Sequence, residues 1–99
     1  MTIYEVKTSI TTASGSVTTT SLRIPGGICR YLMIRANTST TVFRANLQDE
    51  DSVRLVDWGF HTGELVETGI SIPLNGIHRL QITNASPDDI FAVRMRVEE

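Results

Sequence analysis

The sequence has few of the residues that cross-link a fold or carry it through a membrane. Its 99 residues include one cysteine, Cys29, three prolines and a single lysine. A lone cysteine can form no disulfide within the chain, whereas small secreted domains usually depend on several. No apolar run approaches the roughly 20 residues of a membrane span. No secretion signal precedes the alternating pattern that starts at Ile3, so we expect cytoplasmic synthesis and no membrane partner.

The composition favours strands over helices. Thr (13), Ile (10) and Val (8) make up 31 of the 99 residues, and β-branched side chains pack well in pleated sheets. A chain of this length is expected to form one domain, residues 1–99. The net charge of −2 lacks the basic excess typical of nucleic-acid-binding proteins, so no nucleic-acid partner is predicted.

Hydrophobic alternation with a period of two predicts about eight antiparallel strands. Their predicted bounds are Ile3–Thr11, Val17–Ile24, Ile28–Ala36, Thr41–Gln48, Val53–Phe60, Leu65–Ile72, Ile77–Asn84 and Ile90–Val97. The second is rich in Ser and Thr and is predicted to be an edge strand. The third is apolar on both sides, which predicts either a central position or a covered outer surface. The pattern indicates an all-β, two-sheet sandwich of jelly-roll or Greek-key type, with an open barrel as the alternative.

Turn residues divide these strands. Asn75-Gly76 lies between two apolar segments and predicts a two-residue β-hairpin, because both central positions of that turn favour positive φ. Gly59 predicts a β-bulge. Turns are also predicted at residues 13–16 and 85–89, which are rich in Ser, Gly, Pro and Asp.

The residues that could carry chemistry do not form a recognisable motif. His61 and His78 are far apart in sequence, and no Gly-x-Ser-x-Gly motif is present. Cys29 lies mid-strand, where a cysteine is usually a small buried hydrophobe. The acidic turns match no EF-hand loop. We therefore predict no catalytic residues, no cofactor and no metal site.

Two sets of residues are candidates for binding. Eight of the nine basic residues are arginine, a residue enriched at protein interfaces because its planar guanidinium binds carboxylates in a bidentate manner. The candidate interface arginines, which share an outward strand phase, are Arg44, Arg79, Arg94 and Arg96. Three aromatic residues, Tyr31, Trp58 and Phe60, could instead stack against sugar rings, although we expect Trp58 to fill the core.

The whole chain resembles the small β-sandwich structural proteins of tailed bacteriophage particles. The resemblance lies in the Met-x-Ile-Tyr start, the Ser/Thr-rich segment around residues 13–16, the strand Ile28-Cys29-Arg30-Tyr31 and the final strand from Phe91 to Val97. It implies a non-enzymatic capsid decoration or cement protein, or a neck or tail component, with no catalytic residues to transfer.

The leading hypothesis is therefore a self-associating virion protein made in the host cytoplasm. We expect a homo-oligomer that docks on the major capsid protein or on another virion protein. The alternative is a carbohydrate-binding β-sandwich module that uses Tyr31, Trp58 and Phe60. A nucleic-acid-binding barrel that uses the arginines is the third possibility.

Overall fold

The computed structural model describes residues 2–12, 17–83 and 89–99, and every regular element in these ranges is a β-strand. The strands are β1 (Ile3–Thr11), β2 (Val17–Ala36), β3 (Val42–Gln48), β4 (Arg54–Thr62), β5 (Glu64–Thr83) and β6 (Ile90–Glu98). No helix in the described ranges is long and apolar enough to cross a membrane. The predicted all-β class is confirmed. The turn predicted at 13–16, and residues 85–88 of the turn predicted at 85–89, lie outside the described residues.

The six strands form one antiparallel sheet in the order β1-β6-β2-β5-β3-β4. Strands β2 and β5 are each 20 residues long and pair with each other along their length. Within β2, only residues 28–36 pair with β6. Within β5, only residues 79–83 pair with β3. Each long strand therefore contributes its two halves to different parts of the sheet.

Those halves define two four-stranded sheets. Sheet I contains β1, β6, residues 28–36 of β2 and residues 64–74 of β5. Sheet II contains residues 17–24 of β2, residues 76–83 of β5, β3 and β4. With the halves counted separately, the eight segments run in the orders 1-8-3-6 and 2-7-4-5, which is the connectivity of a jelly roll.

A contact between two phenylalanines shows that the sheets face each other. Phe43 on β3 and Phe91 on β6 lie edge to face with their ring centroids 5.0 Å apart. Three strand spacings separate β3 from β6 in the sheet order, which would be about 14 Å in a flat sheet. The sheet must therefore fold over on itself, and the predicted sandwich is confirmed.

The core fills the space between the two sheets. The alternation predicted for β3 and β6 is observed, since Phe43 and Leu47 are fully buried, as are Phe91 and Val97. Cys29 is also buried, and burial raises the pKa of its thiol, as expected for a small hydrophobic residue. The thiol is therefore held in its neutral form inside the core.

The predicted hairpin at Asn75-Gly76 is wrong. Strand β5 continues through both residues, and the segments on either side pair with β2 instead of with each other. Gly76 has a positive φ of 88°, so it bends β5 where β2 has its own irregularity between Ile24 and Gly27. The Asn75 N–H donates to His78 Nε2 at 3.0 Å, which satisfies it without a hairpin partner.

The predicted bulge at Gly59 is present and changes the orientation of Phe60. Gly59 has a φ of 72°, and the pairing of β3 with β4 shifts between Ala45 and Asn46. The shift inserts one residue, so Trp58 packs against the core while Phe60 pairs with outward-facing Arg44. Uninterrupted alternation along Val53–Phe60 would put Trp58 and Phe60 on one face, but the bulge reverses the alternation between them.

The edge and central positions follow the prediction. Residues 17–24 pair with β5 alone among the described strands, whereas residues 28–36 pair with both β5 and β6. A Ser/Thr-rich strand with one apolar face therefore lies at the rim of sheet II, and the strand that is apolar on both sides lies inside sheet I.

The contact between Phe43 and Phe91 can be tested by a double-mutant cycle. We expect Phe43→Leu and Phe91→Leu each to lower the free energy of unfolding by about 1–3 kcal/mol. Their coupling energy should be about 0.5–1.5 kcal/mol, as for other aromatic pairs. Urea denaturation measures these values. The control pair is Phe60→Leu with Phe91→Leu, because Phe60 is 60% exposed and its effect should be additive; additivity of the Phe43 pair would contradict the inter-sheet contact.

Candidate interaction surfaces

The outward side of sheet I, called face I, carries two of the candidate arginines. Arg94 and Arg96 alternate with buried residues on β6 and are both exposed. The Arg94 guanidinium lies 2.8 Å from the carboxylate of Glu5 on β1. The Arg96 guanidinium lies over the ring of Tyr31, 4.6 Å from its centroid, in a cation–π contact. One face of the ring that could have stacked against a sugar is thus occupied by an arginine.

A shallow groove of about 310 Å³ lies beside Tyr31 at one end of face I. Its lining residues are Ile3, Arg30, Tyr31, Thr68, Arg96 and Glu98. Arg30 pairs with Glu98 at 3.5 Å and also donates to the Ser71 hydroxyl. The arginines at this groove are therefore held in fixed positions around an apolar floor.

Apolar side chains continue from this groove along the centre of face I. Met33 is the direct cross-strand partner of Val66 and also lies opposite Arg94. Val66 is 44% exposed, and Met33 lies between two fully buried core residues, so it points outward. Face I is thus a strip of Tyr31, Met33 and Val66 with arginines beside it.

The outward side of sheet II, called face II, carries a cluster of charges around Asp57. The Asp57 carboxylate accepts hydrogen bonds from Arg44 at 2.5 and 3.3 Å, from Arg54 at 3.3 Å and from the Gly59 backbone N–H at 2.9 Å. The Arg44 hydrogen bond is the main cause that lowers the pKa of Asp57, and the same contact raises the pKa of Arg44. Arg44 also lies over Phe60, 5.6 Å from the ring centroid.

Three amide side chains form a network at the centre of face II. The Asn46 Nδ2 donates to Gln81 Oε1 at 3.0 Å, and the Gln48 Nε2 donates to Asn46 Oδ1 at 3.0 Å. Asn46 is only 2% exposed although it points away from the core, because its neighbours on the same face cover it. A buried amide needs partners of this kind. The network was not predicted, although Asn46 and Gln48 share the outward phase of their strand.

Arg79 lies at the end of face II and supports the turn before β4. Its guanidinium donates to the Glu50 carbonyl oxygen and to the Ser52 hydroxyl. The Asp49 carboxylate accepts the backbone N–H groups of Asp51 and Val53, each at 2.9 Å. These acidic residues therefore serve the turn itself, and within the described ranges no group of three or more potential metal ligands occurs.

The predicted interface residues all point outward but lie on two surfaces. Arg94 and Arg96 are on face I, whereas Arg44 and Arg79 are on face II. The aromatic candidates are also separated, since Tyr31 lies on face I, Phe60 lies on face II and Trp58 packs against the core. The structure does not bring the three rings into one platform.

The histidines are engaged with the backbone of their own strands. His61 Nε2 is 3.0 Å from the Trp58 carbonyl oxygen. His78 is 5% exposed, and its Nε2 accepts the Asn75 N–H. Its Nδ1 has no hydrogen-bond partner among the described residues.

A second shallow groove of about 420 Å³, at the other end of the sandwich, is lined in part by the Arg35–Glu64 ion pair.

Fold and surface together define an antiparallel jelly-roll sandwich with two arginine-bearing outer faces. No protein-family model matches the chain, and no curated protein matches it. Among solved structures, the chain is similar to one from the infectious bursal disease virus Gt strain, with a TM-score of 0.39 and 13% sequence identity. The alignment covers 98% of this chain and 33% of that one, so this chain spans about a third of its length. Nothing in these comparisons points to tailed bacteriophages in particular.

The charge cluster around Asp57 can be tested through the pH dependence of stability. We expect Asp57→Asn to lower the melting temperature at neutral pH, because Arg44 and Arg54 lose their shared carboxylate. The pKa of Asp57 is lowered in the folded state, so its contribution is complete above the usual value of 3.8 and is lost as pH falls through the lowered value. The melting temperatures should therefore converge in acid. A difference that stays constant down to the lowest pH would contradict this role; Asp51→Asn, which changes an exposed carboxylate in the turn before β4, is the control.

Proposed function

We propose that this chain is a non-enzymatic structural subunit of a virus particle, which self-associates and docks on a larger protein lattice through face I. In its finer form, the proposal is a capsid decoration or cement protein, in keeping with the resemblance in sequence pattern to tailed bacteriophage proteins. The particle is its place of action, and the major capsid protein or another virion protein is its partner.

The composition of face I carries this proposal. Tyr31, Met33 and Val66 form an outward apolar strip, and Arg94 and Arg96 lie beside it. Tyrosine, methionine and arginine are enriched at protein interfaces, where they combine apolar area with directional hydrogen bonding. The strip lies on a regular sheet, so its side chains are held in place before a partner arrives and little conformational entropy is lost on docking.

The fold agrees with this role. Jelly-roll sandwiches occur in viral capsid domains, but also in lectins and cupins. The function is therefore inferred from the residues of the outer surface and not from the fold. Here the inter-sheet space is filled by the core, and the two grooves are shallow features of the outer surface.

Docking through face I can be tested with a charge reversal and a matched control. We expect labelled wild-type chain to co-sediment with purified particles, and Arg96→Glu to reduce the bound fraction about tenfold or more, as for an interface hot spot. Arg23→Glu makes the same chemical change on face II, where Arg23 is exposed, and should leave binding unchanged.

The outcomes of this experiment separate the two parts of the proposal. Equal loss for both variants would reject face I as the docking surface. A wild-type chain that never sediments with particles would reject the virion role.

The carbohydrate alternative receives less support from the geometry. One face of the Tyr31 ring is occupied by Arg96, and Trp58 packs against the core. We therefore expect glycans to leave the tryptophan fluorescence of the chain unchanged. Glycan binding that is lost in Tyr31→Ala or Phe60→Ala would overturn the structural proposal in favour of the carbohydrate-binding module.

A further inference from the structure

The outer edge of β1 is long and regular, and no described strand covers it. Strand β1 pairs with β6 from Ile3 to Thr11 without a register shift. Besides β6, it contacts only β2 among the described strands, and it is the terminal strand of the sheet order. An edge of this kind is a template for pairing with another strand.

The hydrogen bonds at the ends of β1 show which backbone groups face that edge. The Thr2 carbonyl oxygen accepts the Glu99 N–H, and the Thr12 N–H donates to the Asp89 carbonyl oxygen, both at 2.9 Å. Even-numbered residues of β1 therefore bond to β6. In an antiparallel ladder, alternate residues point their N–H and C=O groups to the opposite side. The odd-numbered residues, Ile3, Glu5, Lys7, Ser9 and Thr11, thus direct their backbone groups to the free edge.

The edges of β4 and β5 are protected. Strand β4 has two register shifts, and Gly59 has a positive φ. The first half of β5 has a register shift, a positive φ at Gly69, and Pro73. Bulges and prolines are the usual devices that prevent strand pairing at an edge.

The edge formed by residues 17–24 of β2 is also regular, but pairing between two copies of this edge would form no ion pair. Arg23 is its only charged residue, so antiparallel pairing of two copies would bring no acidic group opposite it. Only β1 combines a regular free edge with outward charges of both signs, Glu5 and Lys7.

We propose that two copies of this chain pair through their β1 strands, antiparallel, with Glu5 of each copy opposite Lys7 of the other. This inference deepens the proposed function, because it rests on self-association and names the surface that performs it. The pairing joins the two copies of sheet I into one eight-stranded sheet with the two-fold axis between the Val6 residues. Four residue pairs would exchange about eight main-chain hydrogen bonds.

The charges select this register over its neighbours. Three two-fold registers through the odd-numbered residues place charged side chains opposite each other: Glu5 opposite Glu5, Glu5 opposite Lys7, and Lys7 opposite Lys7. The first and third place like charges directly across the ladder, which is destabilising, whereas the second makes two opposite-charge pairs. The same register puts Val6 opposite Val6 on the inward side, where both are half-buried.

The position of Lys7 within one copy favours the same arrangement. Its cross-strand partner on β6 is Arg94, a like charge, and Lys7 forms no ion pair with the described residues. Glu5 neutralises Arg94 but leaves Lys7 without an acidic neighbour. The carboxylate of Glu5 in a second copy would supply one, so each lysine gains a partner only when the dimer forms.

Disulfide cross-linking of single-cysteine variants, made in a Cys29→Ala background, shows which residues face each other in the dimer. We expect Val6→Cys to form a disulfide-linked dimer under mild oxidation, because facing residues at the two-fold axis lie within disulfide distance. Glu5→Cys and Lys7→Cys report the two rejected registers and should cross-link far less. Ser21→Cys, on the other regular edge, is the control. Preferential cross-linking at residue 5, 7 or 21 would overturn the proposal.

Charge reversal tests the same register without relying on a disulfide. By analytical ultracentrifugation, Lys7→Glu and Glu5→Lys should each raise the dimer dissociation constant about tenfold or more, because two attractive pairs become repulsive. The double variant restores opposite charges in this register and should recover dimerisation. A double variant no better than the single ones, or a wild-type chain that stays monomeric at millimolar concentration, would overturn the proposal.

Lys7→Pro separates this inference from the docking role. The Lys7 N–H points to the free edge, so proline removes an intermolecular donor and no bond of the β1–β6 ladder. We expect a folded chain, verified by its circular dichroism, that no longer dimerises. If wild type is monomeric but still sediments with particles, the β1 proposal fails while the proposed function stands. If wild type dimerises but never binds particles, the proposed docking on a virus particle fails while the β1 proposal stands.

Discussion

The whole sandwich depends on the pairing of β2 with β5. Because these two 20-residue strands remain partners through a shared bend, a single ladder supplies one central strand and one edge strand to each sheet. The bend is built from backbone irregularities placed opposite each other, with Ile24 facing Gly76 and Gly27 facing Leu74. Strand β6 adds to the β2 half of sheet I and β3 adds to the β5 half of sheet II, and β1 and β4 then pair with β6 and β3. The positions of the outer faces, the grooves and the sheet edges all follow from this ladder.

Side-chain periodicity was sufficient to predict the elements, but not the path of the chain between them. The alternation in β3 and β6 identified buried Phe43 and Phe91 correctly, because burial of one sheet face imposes a strict period of two. The Asn75-Gly76 hairpin failed for the opposite reason. A local turn preference is small compared with a ladder that continues along β2 over sixteen residue pairs, and that ladder is formed by residues far away in sequence.

The candidate surface was predictable only in part, and for related reasons. Phase along each strand placed the four arginines outward, but their division between faces I and II depends on strand order, which no local pattern contains. Phe60 turned outward because of the bulge at Gly59, and the glycine indicated the bulge without revealing which residue would be the extra one. The amide network of Asn46, Gln48 and Gln81 joins two strands, so its members look unrelated in the sequence.

The distribution of protective features over the four sheet edges is itself informative. Bulges and Pro73 interrupt two edges, and the strand at the third carries Ser and Thr with a single charge. Strand β1 is the regular edge with charges of both signs, and an unprotected edge carries a risk of uncontrolled aggregation. In the proposed dimer, the charges of Glu5 and Lys7 select one register. Each β1 edge is then occupied by its partner, so the contact is closed and does not extend into a larger aggregate. Assembly beyond the dimer would then require a different surface. The joined sheet places both copies of face I on one side of the dimer, so that side presents two symmetric sets of its arginine and tyrosine side chains.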